Sequence, residues 1–339
     1  MSGGRSVTVG VASDGAAPVP GAGASELQVT AVTLEADGVI SLRLRDPAGL
    51  DLPPWTPGAH LDLVLPSGLS RQYSLCGDPA DRTSYRIAVL READGRGGSI
   101  ELHDLPLVGR RLTVRGPRNH FALGQHADYL FIAGGIGITP ILPMIAALPP
   151  DASWHLYYVG RSRNTMAFVD EVVALGGDRV TVLPKEESAR LDVARVVSAA
   201  GASTGVYCCG PASLLRAVET ALDASGSGAE LHAERFVPAE PKEDAAVAAD
   251  TEAFEVELNR TGRVLTVPPD RSALAVIRDV LPDVPYSCEE GYCGSCEARV
   301  LAGLPDHRDD ILSDEERAAS KTMMICVSRA RSPRIVLDL

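Results

Sequence analysis

Cys288-Glu-Glu-Gly-Tyr-Cys293-Gly-Ser-Cys296 carries three of the chain's seven cysteines within nine residues, and Cys326 follows with 29 residues between it and the last of the three. The spacing is C-x4-C-x2-C with a distant fourth cysteine. Gly291 and Gly294 let such a loop turn tightly around whatever its thiolates hold. Read outward from this loop, the surrounding sequence is a small module. A hairpin is expected from Phe254-Glu-Val-Glu-Leu and Val264-Leu-Thr-Val, then a helix over about 273–280, then the cysteine loop.

Four thiolates converging on two irons and two sulfides suit this pattern, with a loop supplying three ligands and a distant segment the fourth. The assignment is a 2Fe–2S cluster on Cys288, Cys293, Cys296 and Cys326, with the spacing of plant-type ferredoxins. The alternatives are a zinc site or inert core cysteines. Structural zinc usually takes two short Cys-x2–4-Cys knuckles, whereas here a single short spacing lies inside a longer loop. Glu289 and Glu290 are either docking charges for a basic partner or the solvated face of the loop. Cys76 and Cys208 read as small buried hydrophobes.

The 339 residues suffice for two to three domains. Apolar residues at 45% and charged residues at 23% are ordinary for a soluble globular protein. With 32 basic against 45 acidic side chains, the net charge is −13. That excess argues against a nucleic-acid partner, which needs a basic footprint. Residues 1–24 read as a disordered tail. Residues 25–122 show short alternating strands with Pro-Gly and Ser-Gly turns, as in a small antiparallel barrel or sandwich. Residues 123–236 alternate buried strands (129–133, 154–159, 180–183 and 205–209) with helical stretches such as 165–175, as in a doubly wound parallel sheet. Residues 237–253 form a polar, Pro-bearing linker, and 254–339 the cysteine module. The fold class is multidomain: β-barrel, α/β parallel sheet and α+β, β-grasp-like ferredoxin.

No apolar segment follows Met1-Ser-Gly-Gly-Arg, so no signal peptide and a cytoplasmic location are expected. The uncharged run 129–150 is long enough for a membrane span. Its glycines and prolines favour strand, turn and helix instead, so no membrane association is expected. The seven histidines, at 60, 103, 120, 126, 155, 232 and 307, show no metal-ligand spacing and read as structural or surface residues.

Two upstream regions carry cofactor chemistry. Arg71-Gln-Tyr-Ser-Leu offers a forked phosphate donor, an aromatic face at Tyr73 and a hydroxyl at Ser74. On strand spacing Ser74 faces away from Arg71 and Tyr73 unless the strand ends there. Gly97-Gly98-Ser99 opens a helix-like stretch and could present backbone N–H groups to a phosphate. Gly134-Gly135-Ile-Gly137-Ile-Thr139-Pro140 follows a strand and opens a helix, leaving room for a pyrophosphate. Thr139 is expected to bond a phosphate or cap the helix. Taken singly, these motifs also fit an ordinary strand, a helix cap and a glycine turn.

This order of motifs resembles the phthalate dioxygenase reductase-like group of iron–sulfur flavoprotein reductases, in the ferredoxin-NADP reductase superfamily, over residues 25–339. The resemblance implies FMN held by Arg71, Tyr73, Ser74, Gly97, Gly98 and Ser99, with Phe236 stacked near the flavin or serving as a core aromatic. A lysine common in the family is replaced here by Leu90, which leaves Arg91 or Arg71 to meet the phosphate. It implies NAD(P)H on Gly134, Gly135, Gly137, Thr139, Pro140 and the Cys209-Gly210-Pro211 step. Ser74 and Cys209 would flank the hydride path as positioning groups. Arg161 and Arg163 would lie near the adenosine ribose, as a 2′-phosphate clamp or as a solvated loop; the resemblance favours NADH over NADPH. The implied activity is an NAD(P)H-dependent oxidoreductase passing electrons through FMN and the cluster to a Rieske-type non-haem iron oxygenase or demethylase acting on an aromatic compound. A cytochrome P450 is the alternative acceptor. A redox carrier or sensor without turnover, and a zinc-stapled binding module, are readings of a different class.

Overall fold

A computed structural model describes residues 24–93, 97–236, 252–282, 284–286, 289, 291, 292, 294–309 and 311–339. The chain divides into two compact units, one running to Glu234 and the other from Arg235 to the C-terminus.

The first unit begins with six strands: β1 (Ser25–Ala36), β2 (Val39–Arg45), β3 (Ala59–Val64), β4 (Ser70–Ser74), β5 (Tyr85–Leu90) and β6 (Arg111–Asn119), with helix α1 (Gly98–Asp104) between the last two. They pair antiparallel in the order β4-β3-β6-β1-β2-β5. A bridge between Leu75 and Ile87 brings the two edges together, so the sheet closes as a barrel. Alternation in β2 sends Leu42 and Leu44 inward, where they meet Leu61, Leu63, Leu75 and Ile87 in one buried cluster. The barrel also buries Asp62, whose carboxylate pairs with Arg118.

The same unit continues as a parallel sheet ordered β11-β10-β7-β8-β9. Its strands are β7 (Asp128–Gly134), β8 (Ser153–Gly160), β9 (Val180–Pro184), β10 (Thr204–Cys209) and β11 (Glu230–Glu234). Helices α2 (Ile138–Ala147), α3 (Val169–Gly176), α4 (Val193–Ser198) and α5 (Ala212–Ser225) connect them. β10 is buried at every residue because it lies inside the sheet, between β11 and β7. The uncharged run at 129–150 thus becomes β7, a 3-10 turn and α2, and no helix among the described residues is long and apolar enough to cross a membrane.

Two details differ from the sequence reading. The stretch 165–175 is a 3-10 turn at Arg163–Thr165 and then α3, because Phe168 adopts a left-handed φ of 60° between them. The sheet also has a fifth strand, β11, beyond β10. Its five residues Glu-Leu-His-Ala-Glu are mostly polar, since an edge strand need not be apolar on both faces.

Barrel and parallel sheet are tied by Arg86 on β5. It reaches Glu35 at 3.1 Å and Glu171 of α3 at 3.0 Å while its guanidinium lies 4.5 Å from the Phe168 ring centre. A planar fork serves two carboxylates and a ring at once, which a lysine would not.

The second unit contains a mixed sheet ordered β13-β12-β18-β14-β16. Its strands are β12 (Phe254–Leu258), β13 (Arg263–Val267), β14 (Glu297–Ala302), β16 (Thr322–Met324) and β18 (Arg334–Leu337); a small pair, β15 (Pro305–Asp306) and β17 (Arg329–Ala330), stands apart. Helix α6 (Ala273–Arg278) buries Ala273, Leu274, Val276 and Ile277, and its first turn is capped by Ser272, which accepts from Ala275 N at 3.1 Å. Helix α7 (Asp314–Ala319) starts with a capping box between Ser313 and Glu316. The sheet with α6 across it is β-grasp-like.

Candidate functional site

Strand β4 ends at Ser74, so the chain can turn there and Ser74 need not continue the alternation set by Arg71 and Tyr73. The fold carries the Arg71 side chain onto the Gly97-Gly98-Ser99 step. A Cβ on Gly98 would fall 2.7 Å from Arg71 Cγ and 3.0 Å from Arg71 Nε, so the guanidinium stem occupies the space a side chain would take. Gly97 turns the chain into α1 with φ 83°. Ser99 Oγ accepts from Glu92 N at 3.1 Å. Arg91 points elsewhere, pairing with Asp104 at 2.6 Å on an exposed edge. Of the two cations left by Leu90, only Arg71 lies against the glycine step. Tyr73 has its hydroxyl pKa raised by burial.

The two glycine motifs of the parallel sheet meet backbone to backbone. A Cβ on Gly137 would lie 2.2 Å from Cys209 O, and one on Gly134 would lie 2.7 Å from Pro211 Cδ. Gly135 takes φ 56°, turning the chain from β7 into the 3-10 turn. Thr139 is buried and its hydroxyl donates to Ile136 O at 2.9 Å, which braces the turn from within. Pro140 falls in the first turn of α2, where no N–H is required. Gly137→Ala should therefore push the 134–137 and 209–211 loops apart. A destabilisation of about 1–3 kcal/mol, with nicotinamide binding weakened, is expected from chemical denaturation and nucleotide titration.

Arg161 and Arg163 lie beyond the C-terminal end of β8, both exposed, and neither is in an ion pair among the described residues. Their loop is pinned by Glu186 N donating to Arg161 O at 3.1 Å. Phe236 stands two residues past β11, beyond the division between the units at Arg235.

Ser74 and Cys209, one from each half of the first unit, converge on a group the sequence reading passed over. Ser74 Oγ lies 3.5 Å and Cys209 Sγ 3.8 Å from the same carboxylate oxygen, Oε2 of Glu234. Both contacts are at the long limit of hydrogen bonding, so they align groups rather than bind them tightly. Burial pushes the Glu234 carboxyl up to about 8, opposed by the bonds from Ser74 and Cys209. The group holds a proton near neutrality. Burial and the Glu234 carboxylate raise the Cys209 thiol well above its usual value. Cys209 is thus a thiol, not a thiolate, which suits positioning over nucleophilic work. The only sequence signal for Glu234 was its place two residues before Phe236.

In the second unit, Cys296 and Cys326 are both buried, and neither forms a disulfide. They are brought together by pairing: Glu297 opposes Met324 across β14 and β16, and Ile325 N donates to Cys296 O at 3.3 Å. Cys288 and Cys293 lie outside the described residues, as does Glu290. The described glycines beside them turn the chain tightly. Gly291 and Gly294 have φ of 80° and 72°, and a Cβ on Gly291 would meet Val327 Cγ2 at 2.7 Å, next to Cys326. The residues present therefore fit a cluster enclosed by the loop and by the segment at 326. Glu289 faces Arg278, 3.7 Å away.

A family profile described as the 2Fe-2S iron-sulfur cluster binding domain matches residues 256–331. The chain is 44% identical over 316 residues to the phenoxybenzoate dioxygenase subunit beta of Ectopseudomonas oleovorans, covering 92% of this chain and 97% of that one. Among solved structures it resembles phthalate dioxygenase reductase, described as a modular structure for electron transfer from pyridine nucleotides to [2Fe-2S]. That match has 36% identity, a TM-score of 0.66, and 94% and 98% of the two chains covered. It also resembles part of an intact type IV self-sufficient cytochrome P450 monooxygenase, at 41% identity and a TM-score of 0.82. There the match covers 93% of this chain but 41% of the other, so this chain spans about two fifths of that protein. The cysteine loop, the barrel with its Arg71–Gly98 contact and the glycine-lined parallel sheet are thereby accounted for together: the chain belongs to the phthalate dioxygenase reductase family of iron–sulfur flavoprotein oxidoreductases.

Proposed function

We propose that the protein is the reductase component of an oxygenase system, drawing on NAD(P)H and delivering single electrons to a Rieske-type non-haem iron oxygenase or demethylase acting on an aromatic compound. The observation that carries this reading is the convergence of Ser74, Cys209 and Glu234 where the barrel meets the C-terminal ends of the parallel strands. When bound, flavin and cluster together convert a two-electron hydride into one-electron transfers. The chain's own residues position the partners. Arg71 and the Gly97–Ser99 step hold the phosphate end of the flavin, with Tyr73 along its ring. Gly134, Gly135 and Gly137 admit the pyrophosphate, and Cys209, Gly210 and Pro211 line the nicotinamide slot. Ser74 and Cys209 flank the path between the two rings, and Glu234 fixes both and keeps a proton on its own carboxyl. Cys288, Cys293, Cys296 and Cys326 ligate the cluster.

FMN is the proposed flavin, from the family resemblance and its order of domains; Arg71, the cation beside the glycine step, suits a terminal phosphate. NADH is the proposed reductant on the same resemblance. Arg161 and Arg163 are the groups through which NADPH would gain its hold. Comparing kcat/KM for both nucleotides checks this: NADH should lead, and alanine at both positions should leave NADH turnover within about twofold while NADPH turnover falls about tenfold. A reducing cytosol suits thiolate ligands, which must stay unoxidised.

The test is direct. Purified protein should release FMN on heating, contain iron and sulfide, and oxidise NADH only when an electron acceptor is present. Protein that binds neither flavin nor iron would end the proposal. The similarity to a P450 fusion protein supports a second acceptor, a cytochrome P450. Side-by-side assays with a Rieske oxygenase and a P450 as acceptors separate the two.

A further inference from the structure

Three further side chains meet at the other end of the parallel sheet. His126 lies in the segment leading into β7, while Glu230 and His232 lie on the edge strand β11. Two residues apart on a strand, Glu230 and His232 share a face, and Glu230 stands roughly 13 Å along the strand from Glu234. His126 Nε2 and His232 Nε2 are 3.2 Å apart, and Glu230 Oε1 is 3.5 Å from His232 Nε2. All three ligand atoms lie within 4.8 Å of one another. Nitrogen and oxygen ligands about 2.0–2.1 Å from a tetrahedral zinc ion stand about 3.3 Å from each other, which is close to both short separations.

The surroundings hold these groups in place. Gly205 pairs with Glu230 on the neighbouring strand, and a Cβ there would fall 2.3 Å from His126 Cδ2, so the imidazole fills the notch that glycine leaves. Tyr207 stacks on His232 with ring centres 4.4 Å apart and 12° between planes. The Tyr129 hydroxyl accepts from His126 N at 3.1 Å. His232 is buried, whereas Glu230 is exposed and leaves one side open to water.

We propose that His126, Glu230 and His232 form a binding site for a zinc-class divalent cation, with water in the fourth position. Two imidazoles and one carboxylate, without sulfur and with few oxygens, suit zinc over calcium or magnesium. The cation would strap the edge strand to the entrance of β7. It uses none of the residues assigned to the hydride path or to the cluster. The rival reading is a plain imidazole–imidazole hydrogen bond.

Equilibrium dialysis of the flavin- and cluster-loaded full chain against Zn2+, followed by metal analysis, decides between them. The wild type should retain one more equivalent of zinc than His126→Gln, and zinc should raise its unfolding temperature but not that of the variant. Glu230→Gln changes only an exposed group. It should bind zinc at least about tenfold more weakly with an unchanged circular dichroism spectrum, which separates ligand loss from misfolding. Equal zinc retention by the wild type and both variants, or no shift in the wild-type unfolding temperature, overturns the site and leaves the hydrogen bond.

Discussion

Cys326→Ala will abolish electron delivery to an oxygenase while leaving NADH-dependent reduction of an artificial acceptor such as ferricyanide within about twofold of wild type. The argument rests on where the parts lie. Cys326 is buried beside Cys296 in the apolar cluster of the second unit. Losing even an indirect support of a metal ligand costs about 10–100-fold in affinity, and losing the ligand itself costs more, so at least a 100-fold fall in cluster-dependent turnover is expected. Every residue assigned to the hydride path, Ser74, Cys209 and Glu234, lies in the first unit, which ends at Glu234. Iron and sulfide content should fall together with oxygenase-coupled turnover. If the variant keeps its iron and its coupled rate, Cys326 is not a ligand.

Glu234 carries the second large effect. Its folded-state pKa of about 8 lies above the ordinary 4.5, so folding binds a proton. The stabilisation from that proton is complete below pH 4.5, declines as pH rises towards 8 and is gone above it, a span on the order of 5 kcal/mol. Glutamine has no proton to lose. Unfolding free energies of wild type and Glu234→Gln, measured from about pH 5 to 8.5, should therefore diverge, with the wild type losing ground as pH rises. Parallel profiles would show that this carboxyl titrates normally. Hydride transfer should fall about 100-fold in Glu234→Ala, which releases both Ser74 and Cys209. The glutamine variant, still able to accept from both, should stay within about threefold of wild type at pH 6, where the native carboxyl is protonated.

The contrast between these two sites shows what the sequence alone could reveal. The cluster loop is a run of nine residues whose spacing is its chemistry, and the glycines at 134–137 mark a backbone that must approach something closely. Arg71, Tyr73 and Ser74 sit on a strand whose alternation is readable. Each of these is a local property. Strand β11 was missed because an edge strand with three polar residues in five has no apolar periodicity to betray it, and Glu234 was missed with it.

The amino-acid sequence by itself pointed to the order of modules, the cysteine loop and the loops that must be glycine, because each depends on residues near one another in the chain. Only the tertiary structure decided that Arg71 rather than Arg91 lies against Gly98, that one carboxylate gathers Ser74 and Cys209, and that His126 meets His232 across 106 residues. A proton affinity near 8 on a glutamate, or three ligands at one point, comes from burial and from approach through space, and neither is encoded in any short stretch of chain.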